Sequence, residues 1–238
     1  MRQLNEAIEA VAALRKHGAR VHCITNAVAQ EWTANVLLAC GVAPSMTVSP
    51  REASDFTSAN DALLINLGTL DESRETAIRN SLEAAAARTL PVVLDPVKCE
   101  MSPHRAAFAR LICDHLPVIL KANLAESKVL GPVATACRVT TGQADRIEFH
   151  GGTFEVGNGD PVMDRVVAMG CALGALIAAL CVHAPSPQIG ALAGLVWFGV
   201  AGEAAARSSG GPGSFRPAFI DRLTSLNEDQ LRKEARVQ

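Results

Sequence analysis

Asp61-Ala-Leu-Leu-Ile-Asn-Leu-Gly-Thr69 and Pro91-Val-Val-Leu-Asp-Pro-Val97 are two short apolar runs, each ending in polar residues, and residues 71–88 between them carry a charged, alanine-rich helical pattern. An apolar strand, a helix and a second apolar strand in succession form a βαβ unit. Parallel neighbours need a crossover of about a dozen residues or more, which residues 71–88 supply. Both runs are continuously apolar, as expected of strands covered on both faces.

The same alternation extends in both directions. Strands are expected at 20–24, 45–48, 62–67, 91–95, 117–121, 135–140, 146–150 and 153–156. Helices are expected at 3–17, 27–40, 71–88, 102–115, 171–183 and 188–207, bounded by capping residues, glycine or proline. The fold class that follows is α/β, with a largely parallel central sheet and helices on both faces. Residues 146–156, with His150-Gly151-Gly152 at their centre, read as an antiparallel hairpin at a sheet edge.

With 238 residues, 49% of them hydrophobic and 19% charged, the chain has material for one large core, and residues 1–238 are expected to form a single domain. The formal net charge is −2 and the arginines are scattered, so no basic field points to nucleic acid. Seven cysteines, at 23, 40, 99, 113, 137, 171 and 181, include no Cys-x-x-Cys pair, which points to a reducing, cytoplasmic setting. The first residues form a charged amphipathic helix without an apolar signal core. The apolar runs 171–182 and 189–201 are separated by Pro185 and Pro187, and each falls short of the roughly 20 residues that cross a bilayer. They are expected to form a buried helical hairpin and not a membrane anchor.

Ligands of open α/β sheets bind beyond the carboxyl ends of the strands. Those ends read Thr25-Asn26, Asn66 with Gly68-Thr69, Asp95, Lys121 with Asn123 and Glu126, and Thr141-Gly142. Each position alone could be a cap or a turn residue. Five polar strand ends in one register argue for a site. No P-loop, dinucleotide-binding or Gly-x-Ser-x-Gly sequence occurs, and there is no tyrosine. Phosphate must therefore be held by other means.

The turn Ala168-Met169-Gly170-Cys171 leads into an apolar helix whose first amides lack intrahelical partners and carry roughly half a positive charge. Two readings of Cys171 stand open: a small packing residue, or a thiol whose pKa the helix N-terminus lowers. Lys121 is equally a solvated lysine or a phosphate clamp, and Glu126 a first-turn acid or a metal ligand. His22, inside the first strand, reads as a satisfied core histidine. Met46 reads as core or as the lining of a pocket for an apolar heterocycle.

Taken in order, Val21-His-Cys-Ile-Thr-Asn26, Thr33-Ala-Asn-Val-Leu-Leu-Ala39 with Gly41, Pro44 and Met46, the two runs quoted first, Gly170-Cys-Ala-Leu-Gly174, and Gly202-Glu203 leading to Gly211-Pro-Gly-Ser-Phe-Arg216 resemble the hydroxyethylthiazole kinases of thiamine thiazole salvage. The resemblance covers nearly the whole chain. It implies a ribokinase-like fold, a homotrimer with active sites between subunits, and ATP and Mg²⁺ as co-substrate and metal. It assigns the thiazole alcohol to Asn26, Met46, Ala168 and Gly170, ATP to Lys121, Glu126 and Thr141, the metal to Asp95 and Glu126, and the catalytic base to Cys171.

Four features differ from the family pattern. Ala168-Met169 replaces Gly-Thr, Lys98-Cys99-Glu100-Met101 replaces a small glycine-rich stretch, and Lys121-Ala122-Asn123 replaces Arg-Gly-Asn, losing the guanidinium fork. Glu126 and Thr141 also stand 15 positions apart, where the family inserts an extra helix. The expected activity is phosphorylation of 4-methyl-5-(2-hydroxyethyl)thiazole. The alternatives are a weakened paralogue that senses a thiazole-like ligand, and a kinase for another small alcohol.

Overall fold

In the computed structural model, which describes residues Met1–Gln238, successive strand residues divide between two hydrophobic cores. Val21, Leu64, Val93, Ile119 and Val139 join a cluster of 47 buried residues. Ile24, Leu63, Ile65, Val92, Leu94 and Leu120 join a second cluster of 20 on the opposite face. This is the period of two of a β-strand, with both faces covered.

The elements follow in the order α1 Arg2–His17, β1 Ala19–Ile24, α2 Gln30–Ala39, β2 Val42–Ser45, α3 Ala53–Ala59, β3 Ala62–Asn66, α4 Glu72–Arg88, β4 Val92–Asp95, α5 Pro103–His115, β5 Ile119–Asn123 and α6 Leu124–Leu130. Then come β6 Cys137–Thr141, β7 Asp145–Phe149, β8 Gly152–Val156, α7 Met169–Cys181, α8 Pro187–Ser208, α9 Pro212–Ser225 and α10 Glu228–Glu234. The sheet order is β2-β1-β3-β4-β5-β6-β7-β8. The first six strands are parallel, and β7 and β8 return antiparallel as the expected hairpin. Arg236–Gln238 lie along β8, where Glu155 and Gln238 exchange two backbone hydrogen bonds of 2.9 Å.

Helices α7 and α8 form the expected buried hairpin. Helix α8 has the length and apolarity to cross a membrane, but 89% of its apolar window is buried inside the protein. The two helices meet at glycine: a Cβ on Gly190 would lie 2.3 Å from Cys181 Sγ.

Several boundaries differ from the sequence expectation. Strand β2 occupies Val42–Ser45 and not 45–48, because Gly41, at φ 79°, ends the turn after α2 and launches the strand at once. Pro44 is accommodated there because β2 is an edge strand. Helix α2 begins at Gln30, since Asn26 holds residues 27–29 in a capped turn, and α7 begins at Met169, two residues before Cys171. Helices α3, α6 and α9 were not expected. The first two have seven residues each, too short to show a clear period, and α9 contains Pro217. Strand β6 forms in full despite the short α6 crossover.

Candidate active site

Ile65, Leu94 and Leu120 face the smaller core, so the next residues, Asn66, Asp95 and Lys121, turn to the opposite face. Asn66 is the register partner of Asp95, and Lys121 stands one step beyond the Leu94–Leu120 pair. The first turn of α7 covers these strand ends. A Cβ on Gly174 would touch Leu64 Cδ1 at 3.2 Å and Lys121 Cδ at 3.7 Å, so the helix lies almost directly on the strands.

A chain of polar contacts crosses the strand ends. Lys121 Nζ lies 3.1 Å from Asp95 Oδ2, which also accepts from Asn66 Nδ2 at 2.9 Å. Asn26 Nδ2 donates to Asn66 Oδ1 at 3.0 Å and to Cys171 Sγ at 3.4 Å. Four strand-end residues, Lys121, Asp95, Asn66 and Asn26, thus form a chain that ends at Cys171.

Electrostatics inside this group follow from burial. Loss of solvent pushes the Asp95 carboxyl up to about 6, against the pull of Lys121. Burial also works to lower the Lys121 pKa, but Asp95, Cys171 and Glu126 outweigh it and hold the ammonium above its ordinary value. Burial and then Asp95 raise the Cys171 thiol, although Lys121, Asn66 and Asn26 oppose them. Of the two readings left open for Cys171, a thiol pKa lowered by the helix start is not the direction found. Cys171 stands in the first turn of α7, and loss of solvent followed by the Asp95 carboxylate favours its protonated form.

Cys171 opens onto a pocket of about 270 Å³ lined by Asn26, Gly68, Thr69, Lys98, Arg105 and Ala168, with Val28, Val97 and Val167 as its apolar walls. Ala168, at φ 68° and ψ 13°, turns the chain into α7. A Cβ on Gly170 would stand 3.3 Å from Lys121 Nζ, so the ammonium packs against the first turn of α7. The Lys98 side chain, 69% exposed, stands in the wall of this pocket, and Met101, 77% exposed, is not part of its lining.

Glu126 forms a capping box with Asn123, its Oε2 accepting the Asn123 N–H at 2.8 Å, while Oε1 accepts the Lys98 N–H at 2.9 Å. It thereby ties the loop after Asp95 to the start of α6. Thr141 ends β6 opposite Asn123. Met46 follows β2 and packs against the larger core, outside the pocket that holds Cys171. Asn66, Gly68 and Arg105 line or organise the pocket without having been singled out as site residues. Asn66 and Gly68 stood in the strand-end series, whereas nothing in the sequence marked Arg105.

The sequence profile of the hydroxyethylthiazole kinase family matches residues 11–138 and 132–229. The chain belongs to the hydroxyethylthiazole kinase family. A probable hydroxyethylthiazole kinase of Agrobacterium fabrum is 37% identical over 232 residues, covering 98% of this chain and 94% of that protein. The hydroxyethylthiazole kinase of an Escherichia coli strain is 35% identical over 250 residues, covering 94% and 95%. The solved structure of a hydroxyethylthiazole kinase protein from Pyrococcus horikoshii superposes with a TM-score of 0.90 at 29% identity, covering 98% of each chain. A ribokinase-like superfamily protein of Enterococcus faecalis shares the fold with a TM-score of 0.66 at 14% identity, covering 93% of this chain and 89% of its own. The ribokinase-like α/β architecture expected from sequence is the architecture observed.

Proposed function

We propose that this member of the hydroxyethylthiazole kinase family transfers the terminal phosphoryl group of ATP to the hydroxyl of 4-methyl-5-(2-hydroxyethyl)thiazole in thiamine salvage. The observation that carries the reading is the pocket onto which Cys171 opens at the start of α7, with the Lys121 ammonium buried beside that first helical turn. Phosphoryl transfer is catalysed mostly by positioning and by charges placed around the transferring group. The start of α7 and Lys121 supply those charges.

Asn26, Ala168 and Gly170 would surround the alcohol, and Lys121, Glu126 and Thr141 the nucleotide. Cys171 takes the hydroxyl proton. Because its pKa is raised, the deprotonated sulfur is a strong base present in a small fraction near neutral pH, so turnover should increase as the thiol titrates. Asp95 and Glu126 suit a magnesium ion that arrives with phosphate: such ions take one or two carboxylates and fill their remaining sites with phosphate and water. No cluster of three or more His, Cys, Asp or Glu side chains exists to hold a metal by protein ligands alone. When bound, the ion would neutralise phosphate charge.

Met46 lies away from the Cys171 pocket of its own chain, which favours a homotrimer with each site shared between subunits. A cytoplasmic location accords with seven free cysteines. The test is a coupled assay with ATP and the thiazole alcohol on the wild type and Cys171→Ala. Turnover should fall roughly a hundredfold or more, the usual worth of a positioned acid or base. Unchanged turnover would remove Cys171 from the chemistry. ATP turnover with another alcohol and none with the thiazole would replace the acceptor.

A further inference from the structure

The hydrogen bonds between Asp95 and Cys171 have only one direction open to them. A carboxylate accepts and cannot donate, so Asn66 turns Nδ2 to Asp95 Oδ2 at 2.9 Å and Oδ1 the other way. That Oδ1 also accepts the Gly68 N–H at 3.1 Å, which a flipped amide could not do. It therefore requires a donor from Asn26, whose Nδ2 stands 3.0 Å away. Asn26 is fixed a second time, because its Oδ1 accepts the N–H groups of Val28 and Ala29 at 3.1 and 3.0 Å. The group that meets Cys171 Sγ at 3.4 Å is thus an N–H.

We propose that Asn66 is a positioning residue for the reaction: acting through Asn26, it keeps a hydrogen-bond donor on Cys171 Sγ, which favours the deprotonated sulfur that takes the hydroxyl proton. The inference rests on the reading of Cys171 as the residue beside the reacting hydroxyl. A relay in the opposite sense would leave the sulfur without a donor and so favour its protonated form. The same N–H steadies the sulfur once its proton has left. Gly68 is part of the device. A Cβ there would come within 2.7 Å of Asn26 Cβ and 3.0 Å of Asn26 Nδ2, so any larger residue pushes the amide off its line. The charged groups around the sulfur are Lys121 and Asp95 beneath it and Lys98 and Arg105 in the pocket wall. Replacing Gly68 alters none of them.

The relay can be read without substrate, nucleotide or metal. The full chain is treated with iodoacetamide at about pH 8, near the usual thiol range, and each cysteine is followed by mass spectrometry. Asn66→Ala and Gly68→Ala should each slow modification of Cys171 roughly tenfold, the equivalent of one pKa unit. The buried Cys23, Cys40, Cys99, Cys113 and Cys137 should remain unmodified. Loss of structure would speed every cysteine, so the direction of change separates positioning from unfolding. If Asn66→Ala does not fold, Gly68→Ala, which leaves the Asn66 to Asp95 bond in place, decides alone. In turnover, Asn66→Ala should lower kcat by about tenfold or more while KM for the thiazole stays within about threefold. Unchanged or faster alkylation of Cys171 in the folded variants would overturn the proposal. Full turnover by Cys171→Ala would instead refute the role of the thiol, whatever the alkylation rates show.

Discussion

Lys121 Nζ and Asp95 Oδ2 lie 3.1 Å apart with side chains only 6% and 2% exposed, an ion pair closed off beneath the first turn of α7. A pair this deep costs much of its attraction in lost hydration, so its presence is weak evidence of stability. Its disruption is another matter, because the remaining charge has no water to turn to.

Lys121→Met leaves Asp95 without its cation and should destabilise the protein by about 3–5 kcal/mol. Urea unfolding followed by circular dichroism measures this. A loss below about 1 kcal/mol would mean that water or a neighbour takes over the charge.

His22 gives a pH dependence whose sign is fixed by its partners. Its Nε2 lies 3.0 Å from the carbonyl of Thr47, so it carries the proton, and its Nδ1 accepts from Thr57 Oγ1 at 2.8 Å. Burial holds its pKa below the ordinary value. The unfolded chain therefore takes up a proton first, and stability should fall as pH drops below about 6.5. The ring signals of His22 in an NMR titration should stay unchanged through that point. A midpoint at or above it would contradict the assignment.

Lys98 and Ala168 hold left-handed backbone, at φ 60° and 68°. Glycine enters this region without the steric cost that a Cβ brings. A side chain in this region costs about 1 kcal/mol, part of which glycine returns as extra freedom in the unfolded state. Lys98→Gly and Ala168→Gly should each raise stability by about 0.5–1 kcal/mol, seen as a higher urea midpoint. A lower midpoint for both would show that the side chains contribute more than the strain.

The contact of α7 with α8 admits no added carbon at Gly190. A Cβ there would meet Cys181 Sγ at 2.3 Å and Cys181 Cα at 2.9 Å, and the backbone atom cannot rotate away. Gly190→Ala should cost about 1–3 kcal/mol by overpacking. Gly213→Ala, in α9 with nothing within 4 Å, is the matched control and should be close to neutral.

The strands other than β2, the edge hairpin and the buried helical pair could be read from sequence, because burial on two faces leaves apolar runs between turn residues. The strand-end series led to Asn26, Asn66, Asp95 and Lys121 for the same reason, since the end of an apolar run marks the rim of the sheet, and the turn into an apolar helix led to Cys171. What sequence does not hold is register. Only the pairing of Asn66 with Asp95 reveals that Asn66 joins two site residues. Nor does it hold desolvation, so a helix start near Cys171 was visible while the opposing burial of its thiol was not. Met46 illustrates a further limit, since its neighbours depend on where β2 stops.

The two outer strands of the sheet are both spoken for. Strand β2 has four residues and carries Pro44, which has no N–H to offer, and β8 is occupied by Arg236–Gln238 through paired backbone bonds. An eight-stranded sheet of this apolarity is otherwise a template for stacking copies edge to edge into polymers. Those last three residues act as a terminator of that growth. Their contribution belongs to colloidal behaviour at high concentration, a property apart from catalysis.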